Sequence, residues 1–266
     1  MNVLTAEQAE DLLSLQQAIT ELGVELVVIG AVAYRASVSG TQRYTEGIDV
    51  ALALDIDNFG VLEAELISRG WERDSSREQR WRGARKSRMD ILPAGPKSRA
   101  VGQLTWPRSG MVMSLAGFDY VFECAVEIEL APRLRVKTVP PSVLFLLKVV
   151  AYMDDQQRRG KDLEDIHGLL RFYEHDSDRV FSDAVFAAEL SDVEFAPAFL
   201  LGRDLALLCG DRERAILEQF VELVTDPESQ AFTSLLRHEG LEPSEQRLLE
   251  RLGALVKGFH PHRTKP

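Results

Sequence analysis

The chain reads as a mixed α/β unit followed by an all-helical one, and three features lead to that reading. Short apolar runs rich in β-branched residues, Val24 to Ile29 and Ile48 to Leu54, alternate with stretches of helical period through the first 139 residues. The pair Pro140-Pro141 then breaks the pattern, since it cannot continue a strand ladder and can open a helix. Beyond it almost every segment has helical spacing. The expected division is therefore an α/β unit over 1–139, a helical unit over 140–259 and a flexible tail over 260–266.

Within the first unit, Thr5 with Gln8 forms a capping box ahead of Leu12, Leu15, Ile19 and Leu22, and Gly23 stops the helix. Val24 to Ile29 predicts a buried strand, with the small residues Gly30 and Ala31 at its end, and Ile48 to Leu54 predicts a second. Asp57 is expected to cap a helix carrying Phe59, Leu62 and Leu66 that stops at Gly70. Polar segments around Trp71 and Trp81 suggest a hairpin, and Met89 to Leu92 a short strand ended by Pro93. Tyr120 to Leu130 and Leu134 to Val139 are expected strands. In the second unit, helices are expected at Ser142 to Met153, Lys161 to Tyr173, Phe199 to Cys209, Arg212 to Val224, Gln230 to His238 and Ser244 to Lys257.

With 45% hydrophobic and 27% charged residues over 266 positions, the composition is that of an ordinary globular protein. No apolar run reaches the ~18 residues a membrane helix needs, and the acidic N-terminus lacks the basic start of a signal peptide. Cys124 and Cys209 form no metal or redox spacing. A cytoplasmic location suits these features. The net charge of −11 disfavours general affinity for nucleic acid. Against it, Arg73, Arg77, Arg80, Arg82, Arg85, Lys86 and Arg88 form a basic strip opposed only by Asp74 and Glu78. That strip either serves a phosphate-bearing ligand or is a solvated hairpin.

Several residues could carry chemistry. Asp49, at the edge of an apolar strand, could simply end its buried part. Asp90 is a second acid set into an apolar strand, where β-propensity disfavours it. Two strand-borne carboxylates in one α/β unit suggest a site for a hard cation such as Mg²⁺, which prefers carboxylate and phosphate oxygens. Lys148 interrupts the apolar run Val143 to Val150 and either snorkels to solvent or faces a ligand cleft. On a helical wheel Asp162 falls within the apolar arc of Leu163, Ile166, Leu169, Leu170 and Tyr173, while Asp165 and Lys161 lie progressively beyond its edge.

Taken together, a strand ending in Gly30-Ala31, then Arg43-x-Thr45-x-x-Ile48-Asp49, then a lone Asp90 on a later strand resembles nucleotidyltransferases of the DNA-polymerase-β superfamily. Lys148-Val149-Val150-Ala151, followed by Lys161-Asp162-x-x-Asp165-Ile166 and by Leu200-Leu201-Gly202-Arg203-Asp204, resembles the abortive-infection AbiEii-type branch, which includes toxins of toxin–antitoxin pairs. The resemblance spans roughly residues 24–208, and its specificity lies in the order of short motifs. It implies a mixed sheet flanked by helices that binds an NTP with Mg²⁺ and transfers the nucleoside monophosphate to an acceptor: a tRNA or other RNA, a protein or a small molecule. An antitoxin partner and a phage-defence role are further implications. By this resemblance Gly30, Ala31, Arg43, Thr45, Lys148 and Lys161 would contact the nucleotide. Asp49 and Asp90 would hold metal, Lys148 would neutralise phosphate charge, and Asp162 or Asp165 would complete the cleft.

One position departs from the pattern. Two acids separated by one residue are expected on the second strand, because alternate residues share a face. Here the first is Gly47. Glu46 would need a bulge to be re-aimed. Three explanations stay open: a pseudoenzyme that binds a nucleotide or a partner, an engineered silencing of a toxic activity, or a site working with fewer ligands through Glu46 or Asp55.

Overall fold

A computed structural model describes residues 3–38, 45–239 and 244–260. The chain forms two compact units, Met1–Pro140 and Pro141–Pro266, divided within the double proline. No helix among the described residues is long and apolar enough to cross a membrane. Residues 261–266, and residues 39–44 with Arg43 among them, lie outside the described residues.

The first unit opens with α1 (Ala6–Glu21), started by the Thr5–Gln8 capping box. It is ended by Gly23, whose φ of +66° suits glycine. There follow β1 (Leu26–Ile29), α2 (Gly30–Ser37), β2 (Gly47–Leu52), α3 (Phe59–Ser68), β3 (Glu72–Arg73), β4 (Arg80–Arg82) and β5 (Arg88–Pro93). After α4 (Pro96–Val101) a small hairpin is formed by β6 (Gln103–Thr105) and β7 (Val112–Ser114). Then come α5 (Phe118–Glu123), β8 (Val126–Ala131) and β9 (Leu134–Thr138).

Seven strands make one mixed sheet in the order β3-β4-β5-β2-β1-β9-β8. The β2–β5 and β1–β9 pairs are parallel and the others antiparallel. Register sorts the side chains. Val28 lies opposite Val50, Ile48 opposite Met89, Val50 opposite Ile91, and Met89 opposite Trp81. All of these are fully or almost fully buried, so they form the core face of the sheet. The intervening positions Gly47, Asp49, Arg88, Asp90 and Arg80 share the other face.

Two expectations are corrected here. Tyr120 to Leu130 is not one strand: its first part belongs to α5, which starts after Gly117 at φ +79° and buries Phe118 and Val121 three residues apart. Asp57 does not cap α3. A single 3-10 turn, Ile56–Asn58, precedes that helix, and Asn58 at its start makes no side-chain cap. It is Asp55 that acts as a cap, but for α4: its Oδ1 accepts from the Lys97 and Ser98 amides at 2.9 and 3.4 Å.

The second unit is helical: α6 (Pro141–Asp154), α7 (Gly160–Phe172), the one-turn α8 (Asp183–Phe186), α9 (Ala196–Leu208), α10 (Asp211–Thr225), α11 (Gln230–Leu236) and α12 (Glu245–Phe259). Its core holds Phe145, Leu146, Ile166, Leu201, Phe220 and Leu252, with Phe220 edge-on to Phe145 and Tyr152. α9 and α12 pack so closely that a Cβ on Gly202 would strike the Leu255 carbonyl, and one on Gly258 the Phe199 carbonyl. Glycine is required at this crossing by contact rather than by backbone angle.

Candidate nucleotide site

On the polar face of the sheet, Asp49 lies directly opposite Asp90 across the parallel β2–β5 pair. Neighbouring strands run ~4.8 Å apart, so the two side chains leave adjacent strands on one side of the sheet. β1 delivers the third part. It ends at Ile29, opposite Asp49, and the chain then turns into α2 at Gly30 with φ +66°. A Cβ at Gly30 would collide with the Asp49 carboxylate. Glycine is thus required twice at this position, for its backbone angle and for the close approach. Gly30 and Asp49 are thus in close approach, and Asp90 stands beside Asp49 in register.

The surroundings of the two acids differ from that reading. Arg80, opposite Asp90 across β4–β5, donates Nε–H to Oδ1 and Nη2–H to Oδ2, each at 2.7 Å. Arg80 and Asp90 are 18% and 19% exposed, so this is a largely sheltered, two-pronged pair. The hydrogen bonds to Asp90, with smaller contributions from Asp74 and then Asp49, hold the Arg80 guanidinium above its ordinary value against the effect of burial. Gly47 lies opposite Arg88, and a Cβ added there would stand 2.8 Å from Arg88 Nε. The missing acid's place is crossed by a cation.

The substitutes for that acid are committed elsewhere. Glu46 lies in a bend before β2, whose register with β5 runs from Gly47 to Leu52. Glu46 instead reaches Arg88 Nη1 at 3.2 Å in an exposed pair. Asp55 caps α4. Thr45 uses its hydroxyl at the start of β2, donating to the Gly47 carbonyl at 2.8 Å. A Mg²⁺ centre needs carboxylate oxygens open to the ion. Here one of the two acids gives both oxygens to Arg80, and Gly47, where the resemblance implies a further acid, lies beneath Arg88. These residues do not fit a magnesium centre.

No protein-family model matches the chain, and no curated protein matches it. Among solved structures it is similar to an antigenic nucleotidyltransferase-like protein from Paracoccidioides brasiliensis, at 16% identity over 63% of this chain and 77% of that one, with a TM-score of 0.41. It is similar to the antibiotic-resistance factor ANT(2'')-Ia at 15% identity over 77% and 96% of the two chains, with a TM-score of 0.41. A third is the lincosamide antibiotic adenylyltransferase LnuA, at 13% identity over 59% and 94%, with a TM-score of 0.38.

The basic strip is largely neutralised within the α/β unit. Arg73 pairs with Glu63, Arg80 with Asp90, Arg85 with Glu10, Lys86 with Glu72 and Arg88 with Glu46. Sequence reading missed these partners because most of them come from other elements. The turn after β4 is also held from outside, by the buried Asp11 of α1, which accepts from the Arg85 and Ser87 amides at 2.9 and 3.1 Å.

In the helical unit Lys148 neither snorkels nor stands alone. Its Nζ lies 2.6 Å from Asp162 Oδ1 and 2.8 Å from Asp165 Oδ2, and the three side chains are 12%, 7% and 1% exposed. Arg159 adds a longer pair to Asp162 at 3.5 Å. Asp165 is therefore buried rather than beyond the apolar arc, because an ion pair with Lys148 compensates its charge. Lys161 is exposed on the first turn of α7. Elsewhere in the unit a cavity of about 310 Å³ is lined by Phe172, Val180, Phe181, Val193 and Arg251 among others. No motif of the sequence marks it.

Proposed function

We propose that this chain is a nucleotidyltransferase-type protein whose α/β unit binds the phosphates of a nucleotide on the face that carries Gly30, Asp49 and Asp90, with transfer to an acceptor slow or silent. The observation that carries this reading is the register of Asp49 and Asp90 on one face, with the Gly30 backbone packed against the Asp49 carboxylate. Close backbone approach at the start of a helix is suited to phosphate, since the first amides of a helix have no partner within it. Ile29 at the start of α2 supplies no side-chain cap. Gly47 and the Arg80–Asp90 pair favour the silent form, because phosphoryl transfer depends on cations placed to neutralise charge on the transferred group. The pairing of the basic strip favours a protein or small molecule over tRNA as the acceptor or partner. An antitoxin-like protein fits the first of these.

Titration calorimetry with each of the four common NTPs tests the reading, beside an assay for incorporation of labelled nucleotide. Saturable binding that Arg88→Gln weakens, with little or no incorporation, is expected. Absence of binding at millimolar NTP would refute it. Rapid Mg²⁺-dependent incorporation would instead support a working enzyme with fewer metal ligands.

A further inference from the structure

We infer that the guanidinium groups of Arg80 and Arg88 stand where the two strand acids would otherwise hold divalent cations, so that this face meets the phosphates of a nucleotide without metal. The inference starts from a charge balance among residues in direct register. Asp49 and Asp90 are opposite one another, Arg80 is opposite Asp90, and Arg88 is opposite Gly47. Residues in register on adjacent strands share a face, so two acids and two guanidinium groups project on one side. With Glu46, which pairs with Arg88, three acids meet two guanidinium groups, so the patch already carries nearly balanced charge before any ion enters.

A hard cation at this place would meet two obstacles. It would have to displace Arg80 from both oxygens of Asp90, each bond 2.7 Å long. That would leave a sheltered guanidinium without its hydrogen-bonded counter-charge, which is unfavourable. It would also approach the space over Gly47, where Arg88 Nε stands 2.8 Å from the position of a Cβ. A phosphate meets the opposite situation. A guanidinium has five N–H donors in a planar fork matched to phosphate. Arg80 spends one N–H from Nε and one from Nη2 on Asp90, so donors remain. Among the described residues Arg88 pairs with Glu46, exposed to water, and such pairs are weak enough to exchange for an anion.

The cation half of this inference stands by itself, whereas the phosphate half rests on the nucleotide reading above. Two measurements on the full chain separate them. The first is a Mn²⁺ titration followed by electron paramagnetic resonance, without nucleotide. Wild type and Asp90→Asn should bind Mn²⁺ alike, and Gly47→Asp alone should create no tight site, because Arg88 takes the new carboxylate. A double variant, Gly47→Asp with Arg80→Gln, should gain one. A Mn²⁺ site in the wild type that Asp90→Asn abolishes overturns the cation half whether or not the double variant folds, and so does a tight site in Gly47→Asp. The second measurement is NTP affinity in EDTA against Mg²⁺. The two should agree within about threefold, and Arg88→Gln should weaken both by about tenfold. A gain of more than about tenfold on adding Mg²⁺ overturns the inference. If no NTP binds in either buffer, the nucleotide reading and the phosphate half fail together, while the Mn²⁺ comparison still decides the cation half.

Discussion

At the scale of single residues, the same chemical group does different work according to what it touches. Lys148 is bound by two buried carboxylates, so Lys148→Ala should act first on stability. Removing one partner of a buried ion pair leaves an uncompensated charge and costs about 3 kcal/mol. Urea unfolding checks this, and an unchanged midpoint would show the cluster to be slack. The substitution is therefore a poor probe of a phosphate role unless folding is measured beside it. Gly30→Ala combines a left-handed backbone angle with a clash against Asp49. It should cost about 1–3 kcal/mol and also displace the carboxylate on which the nucleotide reading depends. Equal stability and equal NTP affinity in this variant would show that the close approach has no role. Asp49, Asp90 and Gly30 were all legible in the sequence, since acids in apolar strands and a small residue at a strand end are local signals. Arg80 was not singled out as the partner of Asp90, although a signal existed. Once Arg82 is set opposite Arg88, antiparallel pairing brings Arg80 opposite Asp90. The hairpin expected around Trp71 and Trp81 is present as the β3–β4 pair, and the register that carries Arg80 lies one strand further on, between β4 and β5.

At the scale of elements, legibility followed length and period. The long helices and the β-branched strands lie where their patterns put them, within a few residues at the ends. Short elements were lost. α4 has proline at its first position and Gly102 at φ +79° after its end, a signature that could have been read. The β6–β7 hairpin has three-residue strands, too short to show a period. The Tyr120 to Leu130 run reads as a strand in sequence because apolar composition alone does not separate a short helix from a strand. The α9–α12 crossing was invisible as well, since Gly202 and Gly258 are separated by 56 positions and only packing brings them together. Ala at either glycine should push the helices apart and destabilise the helical unit by about 1–3 kcal/mol. Denaturant midpoints check this, and an unchanged value would mean that the crossing adjusts freely.

At the scale of the whole molecule, charge is arranged to be neutralised locally. The chain carries −11 overall, yet its basic strip is mostly ion-paired and its buried charges are compensated. In the helical unit Glu239 lies between His167 at 2.9 Å and Arg251 at 3.0 Å, with all three side chains buried. Burial alone would raise its carboxyl, but the bonds from His167 and Arg251 outweigh burial and lower it to about 2. A carboxyl lowered on folding stabilises the native state above its unfolded value, and the contribution fades as pH falls through the folded one. Glu239 should thus add a stability component that is full above pH ~4.5 and is lost towards about 2. Comparing acid unfolding of wild type and Glu239→Gln checks this: the variant should lose stability at neutral pH and show a shallower acid slope. Parallel curves would contradict it.

Amide chemical-shift mapping of an NTP titrated into the ¹⁵N-labelled chain bears most directly on where a nucleotide binds. The largest changes should cluster at Gly30, Ala31, Gly47, Asp49 and Arg88, on the polar face of the sheet. Changes confined to the helical unit, around Phe172 and Phe181, or no changes at millimolar nucleotide, would show that this face is not a nucleotide site.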